Sequence, residues 1–491
     1  MPGLPRRITL IPGDGVGPEI VRSAQRIIDA AGVAIEWEEA EAGAEVFKKG
    51  DPSGVPQTTR ESIERTRVVL KGPLETPVGV GEKSANVTLR KLVETYANIR
   101  PARQLPGVPT RYAGEGIDFV LVRENIEDLY AGIEHMQTPD VAQALKVISR
   151  KGSEKVIRYA FELALREGRQ TVTCATKANI LKLTEGMFKR VFEEVSSDYP
   201  DITAQHVIVD NAAHQLAKDP AQFDVLVMTN MNGDILSDLA SGLVGGLGFA
   251  ASGNFGDDVA IFEAVHGSAP KYAGKDVINP TALILSAVMM LRHIGEANAA
   301  DTVENAVFAT LASGAVMTQD LARQTGGDAA QAASTTAFTD AVITNLGKHG
   351  PSIPGRPRRA PSAAAPLPRW SYAPARYEAV DRVLVGMDVM LEDDRDAAVI
   401  GPAMEALAGD RLALKLISSR GTKVYPAGDI AASDNVRWWR ARFVAQEGVE
   451  VRDADLLDVL GRITGAGYRW NHVERLQSFD GEPGYTKAQG E

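Results

Sequence analysis

Phe223-Asp224-Val225-Leu226-Val227-Met228, followed closely by Asn232-Gly233-Asp234-Ile235-Leu236-Ser237-Asp238, is the stretch on which the fold turns. The first run is short and apolar, as a strand buried on both faces is. The second continues into Leu239-Ala240-Ser241-Gly242-Leu243 and reads as a helix, with Asp234 and Asp238 four residues apart on one face of its first turn. Such a pair can hold a hard divalent cation through carboxylate oxygens, Mg²⁺ or Mn²⁺ above all. Taken alone, acids favoured by the helix dipole explain it better, so the rest of the chain decides.

Outward from that stretch the pattern repeats. Strand-like runs at Arg7–Ile11 and Val68–Lys71 alternate with helical stretches at Ile20–Ala31 and Glu154–Glu167, the signature of an α/β fold. The chain has 491 residues, 44% hydrophobic and 24% charged, enough for more than one core. Its net charge of -11 argues against nucleic acid as a partner, and the basic tract Arg356-Pro357-Arg358-Arg359 lies in a proline-rich spacer. The single cysteine, Cys174, excludes an internal disulfide and a thiolate metal cluster; in Val172-Thr173-Cys174-Ala175-Thr176 it reads as strand packing. With no signal-like start and no apolar run near the roughly 20 residues of a membrane span, a cytoplasmic protein with no membrane contact is expected.

Prolines divide the chain. Residues 347–378 carry His349-Gly350-Pro351-Ser352-Ile353-Pro354-Gly355 and Ala360-Pro361-Ser362-Ala363-Ala364-Ala365-Pro366, too proline-dense for regular structure and suited to an extended linker. Beyond it, Val383–Val389, Leu412–Ile417, Val436–Val444 and Tyr468–Leu476 read as strands, with helices at Ala397–Ala408 and Ala454–Ile463. That order predicts a small α/β sandwich of ferredoxin-like succession over 379–491. It shows no catalytic constellation, and Trp438, Trp439 and Trp470 suit either its core or a surface for another subunit.

Two glycine-rich loops invite a nucleotide reading. Ile11-Pro12-Gly13-Asp14-Gly15-Val16-Gly17-Pro18 joins the first strand to the first helix, where exposed N–H groups could cradle a phosphate. Its third glycine falls one position early for the dinucleotide fingerprint, and Gly246-Leu247-Gly248-Phe249-Ala250-Ala251 follows a helix instead of a strand. A Rossmann fold is therefore not expected. Arg90, Arg100 and Arg123 fall in apolar context, and arginine forks suit a substrate with two or three carboxylates, though pairing with Glu82, Glu94 and Glu127 on a surface is about as good an account. Tyr130 and Lys177 are candidate proton donors or acceptors.

Five segments together carry a resemblance: Pro12–Glu19, Ser84-Ala85-Asn86-Val87-Thr88-Leu89-Arg90, Arg123-Glu124-Asn125-Ile126-Glu127-Asp128-Leu129-Tyr130-Ala131-Gly132, Asn232–Asp238 and His266-Gly267-Ser268-Ala269-Pro270-Lys271-Tyr272-Ala273-Gly274. In collinear order over residues 5–347 they resemble the metal-dependent β-decarboxylating dehydrogenases, the family of isocitrate, isopropylmalate and homoisocitrate dehydrogenases. The segment from 380 onward, closing on Phe479–Gln489, is similar to the extra C-terminal domain of a bacterial subgroup.

The resemblance implies that family's two-domain fold: a large cofactor-binding domain from 1–95 and 246–346, and a small domain, 96–245, with a dimer-forming clasp. It implies that Ser84, Asn86, Arg90, Arg100 and Arg123 bind substrate, that Tyr130 and Lys177 handle protons, and that Asp210, Asp234 and Asp238 hold Mg²⁺ or Mn²⁺. Asp210 and Lys177 would come from the second chain of a homodimer. Cofactor contacts would fall to Lys71, Thr76, Glu263, His266, Gly267, Lys271, Tyr272, Ile278, Asn279 and Arg323. Lys271 and Tyr272 are the NADP pattern, while Glu75 replaces a threonine that several relatives place near the nicotinamide. Ser84 and Asn86 favour isocitrate, because an apolar substrate would leave a buried hydroxyl and amide unpaired. The implied reaction is oxidative decarboxylation of isocitrate to 2-oxoglutarate and CO₂, a step of the tricarboxylic acid cycle. Homoisocitrate or 3-isopropylmalate is the alternative substrate, and a scaffolding role on an inactive dehydrogenase fold is the alternative from another class.

Overall fold

The computed structural model describes residues 5–75, 84–351, 380–426 and 434–491. Thr76 and residues 352–378 of the expected linker lie outside them. The described parts of Met1–Ala131 and Val147–Ser371 form one compact unit; those of Gly132–Lys146 and Tyr372–Glu491 form another.

The first unit is built on a ten-stranded sheet. In spatial order its strands are Ile35–Glu39, Arg6–Ile11, Val68–Lys71, Ala260–Ala264, Ala251–Phe255, Ala97–Arg103, Asp118–Glu124, Val225–Met228, Thr171–Thr176 and Thr203–Ile208. The outer strands on each side are parallel, and the three central pairings are antiparallel. The first five strands come from 1–95 and 246–346 and the last five from 96–245, so one continuous sheet joins the two expected domains through the antiparallel pair of Ala251–Phe255 with Ala97–Arg103. Val68–Lys71 and Val225–Met228 are buried at every position, as strands covered on both faces must be. Helices Gly17–Ala30, Arg150–Glu167 and Thr281–His293 supply the covering layers, their apolar faces joining one core with Ile8, Leu70, Val122 and Val227. Cys174 is fully buried there, a packing residue as expected. No helix among the described residues is long and apolar enough to cross a membrane.

The second unit carries a six-stranded antiparallel sheet in the order Thr422–Tyr425, Leu412–Ser419, Trp438–Ala445, Arg382–Glu392, Arg469–Phe479 and Glu482–Pro483. With helices Ala397–Leu407 and Asp453–Gly465, its four long strands keep the ferredoxin-like order expected from sequence; the two short edge strands are additions. Trp439 belongs to its core and donates its indole N–H to Asp393 O at 2.9 Å, whereas Trp470 stays 41% exposed. The hairpin Glu134–Thr138 and Val141–Ala144 also belongs to this unit, where Asn471 donates to Gln137 O, although sequence placed it in the small domain.

Candidate active site

The helix bearing the aspartate pair runs Asn230–Leu243, so Asp234 and Asp238 sit in its second and third turns and not in its first. The first turn is fixed by other groups. Asp128, fully buried, accepts from Met231 N at 2.9 Å, and Thr229 turns its hydroxyl to Glu185 at 2.9 Å. The Asp128 contact satisfies a helix-start donor that no N-cap side chain takes, and it ties the Tyr130 loop to the helix.

Arg123, at the end of strand Asp118–Glu124, is only 1% exposed. Its stem crosses Gly233, where any Cβ would fall within 2.8 Å of Arg123 Cβ, so glycine there is a condition for the arginine's path. Its guanidinium donates to Asn230 Oδ1 at 2.7 Å and pairs with Asp234, and it lies 4.9 Å from the Tyr130 ring. Arg100 reaches Ser237 Oγ at 2.6 Å, Asp234 at 3.3 Å and Asp238 at 3.4 Å. Arg90 pairs with Glu263 at 2.8 Å. The surface-pairing account of these arginines therefore fails. Burial and the like charges of Arg100 and Arg90 lower Arg123 to about 9. Burial opposes ionisation of Asp234, yet Arg123 and Arg100 outweigh it and hold the carboxyl below its ordinary range. Burial raises Asp238, with Arg100 opposing. The Tyr130 hydroxyl donates to Asp234, and burial together with that carboxylate keeps the phenol protonated beyond its usual range.

A cleft of about 80 Å³ opens beside these groups, lined among others by Asn86, Arg90, Arg100, Ser252, Glu263 and His266. Ser84 stands at the start of helix Ala85–Leu92, and Asn86 donates to Leu74 O at 3.3 Å. Among the residues expected to meet a cofactor, buried Lys71 pairs with Glu263 and donates to Gly72 O at 3.0 Å. His266 is lowered chiefly by burial, which keeps the ring neutral. Gly267 is exposed, Ile278 half-buried, and Lys271 Nζ lies 4.9 Å from the Tyr272 ring. Asn279 donates to Asp320 at 2.9 Å, and Arg323 is exposed on the same short helix, Gln319–Gln324.

Three backbone donors of the glycine-rich loop are taken within the protein. Asp14 N binds Pro73 O, Val16 N binds Ser268 O and Gly17 N binds Asp14 O. Gly15, at φ +58°, is needed because a Cβ would collide with the Ser268 carbonyl. The loop clamps the His266–Gly274 segment in place.

Lys177 and Asp210 are brought together with each other and not with Asp234. They follow neighbouring parallel strands, and Lys177 Nζ meets Asp210 Oδ1 at 2.5 Å. That pair holds Asp210 below its ordinary value. Glu185, fully buried, accepts from Lys177 N at 3.1 Å as well as from Thr229.

The donor set fits the implied groups. Asp234 and Asp238 offer hard oxygens from successive turns of one helix, which suits a partly hydrated Mg²⁺ or Mn²⁺. Among the described residues no cluster of three or more His, Cys, Asp or Glu gathers to cage a metal, so further ligands would come from substrate or a second chain. Asn86 Oδ1, Arg90 Nε and His266 Nε2 are buried with no hydrogen-bond partner among the described residues, as cleft atoms awaiting polar ligands are.

Sequence reading missed Asn98, Ser252, Asn254, Asn230, Ser237, Glu185 and Asp320. Only Ser237 stands in a motif, between the two aspartates; elsewhere the only signal was a polar residue inside a strand otherwise buried, as at Asn98 and Asn254.

Residues 7–342 match the isocitrate/isopropylmalate dehydrogenase family, and residues 382–491 match the bacterial isocitrate dehydrogenase C-terminal domain. The chain is 58% identical to an isocitrate dehydrogenase [NADP] of Thermus thermophilus over 99% of its own length and 96% of the relative's. It is 39% identical to the isocitrate dehydrogenase [NADP] of Rickettsia bellii, with 99% of each covered. A crystal structure of a protein from Thermus thermophilus superposes with a TM-score of 0.90 at 58% identity, covering 99% of this chain and 96% of that one. The chain therefore belongs to the isocitrate/isopropylmalate dehydrogenase family and carries the C-terminal domain found in bacterial isocitrate dehydrogenases.

Proposed function

We propose that this chain is an NADP-dependent isocitrate dehydrogenase, oxidising isocitrate to 2-oxoglutarate and CO₂ with reduction of NADP. The observation that carries the reading is that Arg90 and Arg100 line one cleft, while Arg123 shares Asp234 with Arg100. Burial together with the like charges of Arg100 and Arg90 lowers Arg123 to about 9 even though Asp234 is present, so further negative charge is favoured there. A tricarboxylate supplies it, and arginine forks bind carboxylates bidentately. The full-length relatives named isocitrate dehydrogenase [NADP] support the same substrate and cofactor.

In this reading Arg90, Arg100 and Arg123 orient the substrate, with Ser84 and Asn86 at its distal carboxylate. The nicotinamide, when bound, would supply the hydride acceptor for the hydroxyl-bearing carbon, and the hydroxyl proton would pass to a base, for which Lys177 and Asp210 of a second copy are the candidates. After CO₂ departs, Tyr130, protonated and aimed by Asp234, donates a proton to the carbanionic carbon. Asp234 and Asp238 would hold Mg²⁺ or Mn²⁺, which when bound supplies Lewis-acid stabilisation of the charge developing on oxygen. The enzyme would be a cytoplasmic homodimer with shared sites. Lys71, Thr76, Glu263, His266, Gly267, Ile278 and Asn279 would hold the cofactor, with Lys271, Tyr272 and Arg323 at its 2′-phosphate.

Turnover with isocitrate, homoisocitrate and 3-isopropylmalate, each with NADP and NAD in the presence of Mg²⁺ or Mn²⁺, tests reaction, cofactor and metal together. Isocitrate with NADP is expected to lead; faster turnover of either other acid would overturn the substrate. Lys271→Asp with Tyr272→Ile is expected to move preference toward NAD by about tenfold or more, since it removes charge-assisted contacts to a phosphate. No shift would show that the phosphate is read elsewhere.

A further inference from the structure

The centre of the ten-stranded sheet holds an unbroken line of buried amides between the two halves of the site. Arg100 Nε donates to Asn98 Oδ1 at 2.7 Å. Asn98 Nδ2 donates to Asn254 Oδ1 at 2.8 Å and to Ser252 Oγ at 2.9 Å. Asn254 Nδ2 in turn donates to Glu263 Oε1 at 2.8 Å, the oxygen that also accepts from Arg90. Asn125 adds a second donor to Asn254 Oδ1 at 3.0 Å. Asn98 and Asn254 are fully buried, and Ser252 is 1% exposed.

The two ends leave one orientation for each amide. Arg100 can only donate, so Asn98 turns its oxygen toward it; Glu263 can only accept when ionised, so Asn254 turns its nitrogen that way. All the dipoles then run in one direction, from cation to anion, an arrangement in which hydrogen bonds reinforce one another. Two asparagines are an expensive choice for the middle of a sheet, where they are disfavoured and cost desolvation. An apolar pair would serve packing alone at least as well.

We infer that Asn98 and Asn254 are positioning residues, which set the Arg100 guanidinium in register with Glu263 and so align the substrate subsite with the cofactor subsite. The inference rests on the assignment of Arg100 to substrate made above. Neither amide lines the cleft; each acts through the charged group at its end. Asn254 has no contact with Arg100, yet its loss frees Asn98 and should be felt at the substrate.

The test is a double-mutant cycle on the full-length holoenzyme with Asn98→Ala, Asn254→Ala and the pair, read as KM for isocitrate, KM for NADP, kcat and melting temperature. Wild-type turnover of isocitrate is measured first; its absence would defeat the proposed function and not the positioning. The expected result is an isocitrate KM raised about tenfold by Asn98→Ala, the scale of one lost charge-assisted hydrogen bond. A rise of several-fold is expected for Asn254→Ala, and the pair should be no worse than Asn98→Ala by more than about twofold, as links in series require. An isocitrate KM within twofold of wild type in both single variants, whatever their melting temperatures, would overturn the proposal, as would effects that simply multiply. Should either alanine variant fail to fold, Asn98→Ser and Asn254→Ser, which keep a small polar group, answer the same cycle.

Discussion

Both units of this protein bury an arginine almost completely, and they do opposite things with it. Arg123 and Arg442 are each 1% exposed. Arg442 meets Asp388 through two hydrogen bonds of 2.8 Å, adds Glu491 at 2.9 Å and Thr486 O at 3.1 Å, and lies 4.9 Å from the Tyr485 ring. Burial works against its charge, but Asp388 outweighs burial and raises it. Around Arg123, burial and two further arginines prevail and lower it. The first arrangement is neutralised and closed, as a structural pair must be. The second is left short of negative charge beside Arg100, which with Arg90 lines an open cleft, the electrostatic condition of a site that binds an anion. Burial of a charged residue is thus silent about its role until its neutralisation is counted.

Asp234→Asn strikes the open centre hardest. Turnover of isocitrate is expected to fall by about 10²–10³-fold, the scale of losing one preorganised electrostatic contact at a reacting group. Unchanged Mg²⁺-dependent turnover would remove the functional side of the contrast. In the closed centre, Arg442→Leu is expected to cost about 3–5 kcal/mol by leaving buried Asp388 with Arg440 alone, 3.8 Å away, while adding Asp388→Leu should restore much of it. Denaturant unfolding of the full chain followed through Trp439 reads this, and the isocitrate KM should not move in either variant. A single variant as stable as the double would show that the pair is not a closed one. The smallest effect concerns Glu124, a neighbour of Arg123 whose carboxyl is raised to about 7 by burial, with the backbone N–H groups of Ile126 and Glu127 opposing. Between the unfolded value of about 4 and the folded value of about 7, the folded state binds more protons, so stability falls as pH rises through that window. Glu124→Gln should flatten the dependence between about pH 4 and 7; identical profiles would mean that Glu124 does not titrate there.

Much of this was legible in the sequence. The strands Val68–Lys71 and Val225–Met228, the helix Arg150–Glu167 and the succession of elements after residue 380 follow from apolar runs and helical spacing, which are local properties of the chain. The arginines and the aspartate pair were legible as chemistry, because few side chains can bind carboxylates or a hard cation. At the glycine-rich loop the N–H groups of Asp14 and Val16 are taken by Pro73 and Ser268, residues far away in sequence and so invisible to a local reading.

What the chain alone determined is the order of its elements and the kinds of group at the site, since both depend on residue type and spacing. Tertiary structure decided the rest. It moved Asp234 and Asp238 into the second and third turns of their helix, because Thr229 and Asp128 set where that helix begins. It set Lys177 against Asp210, and it laid Asn98 and Asn254 between Arg100 and Glu263. Each of these is a contact between residues that only the folded sheet makes neighbours, and no periodicity along the chain encodes which buried donor will meet which acceptor.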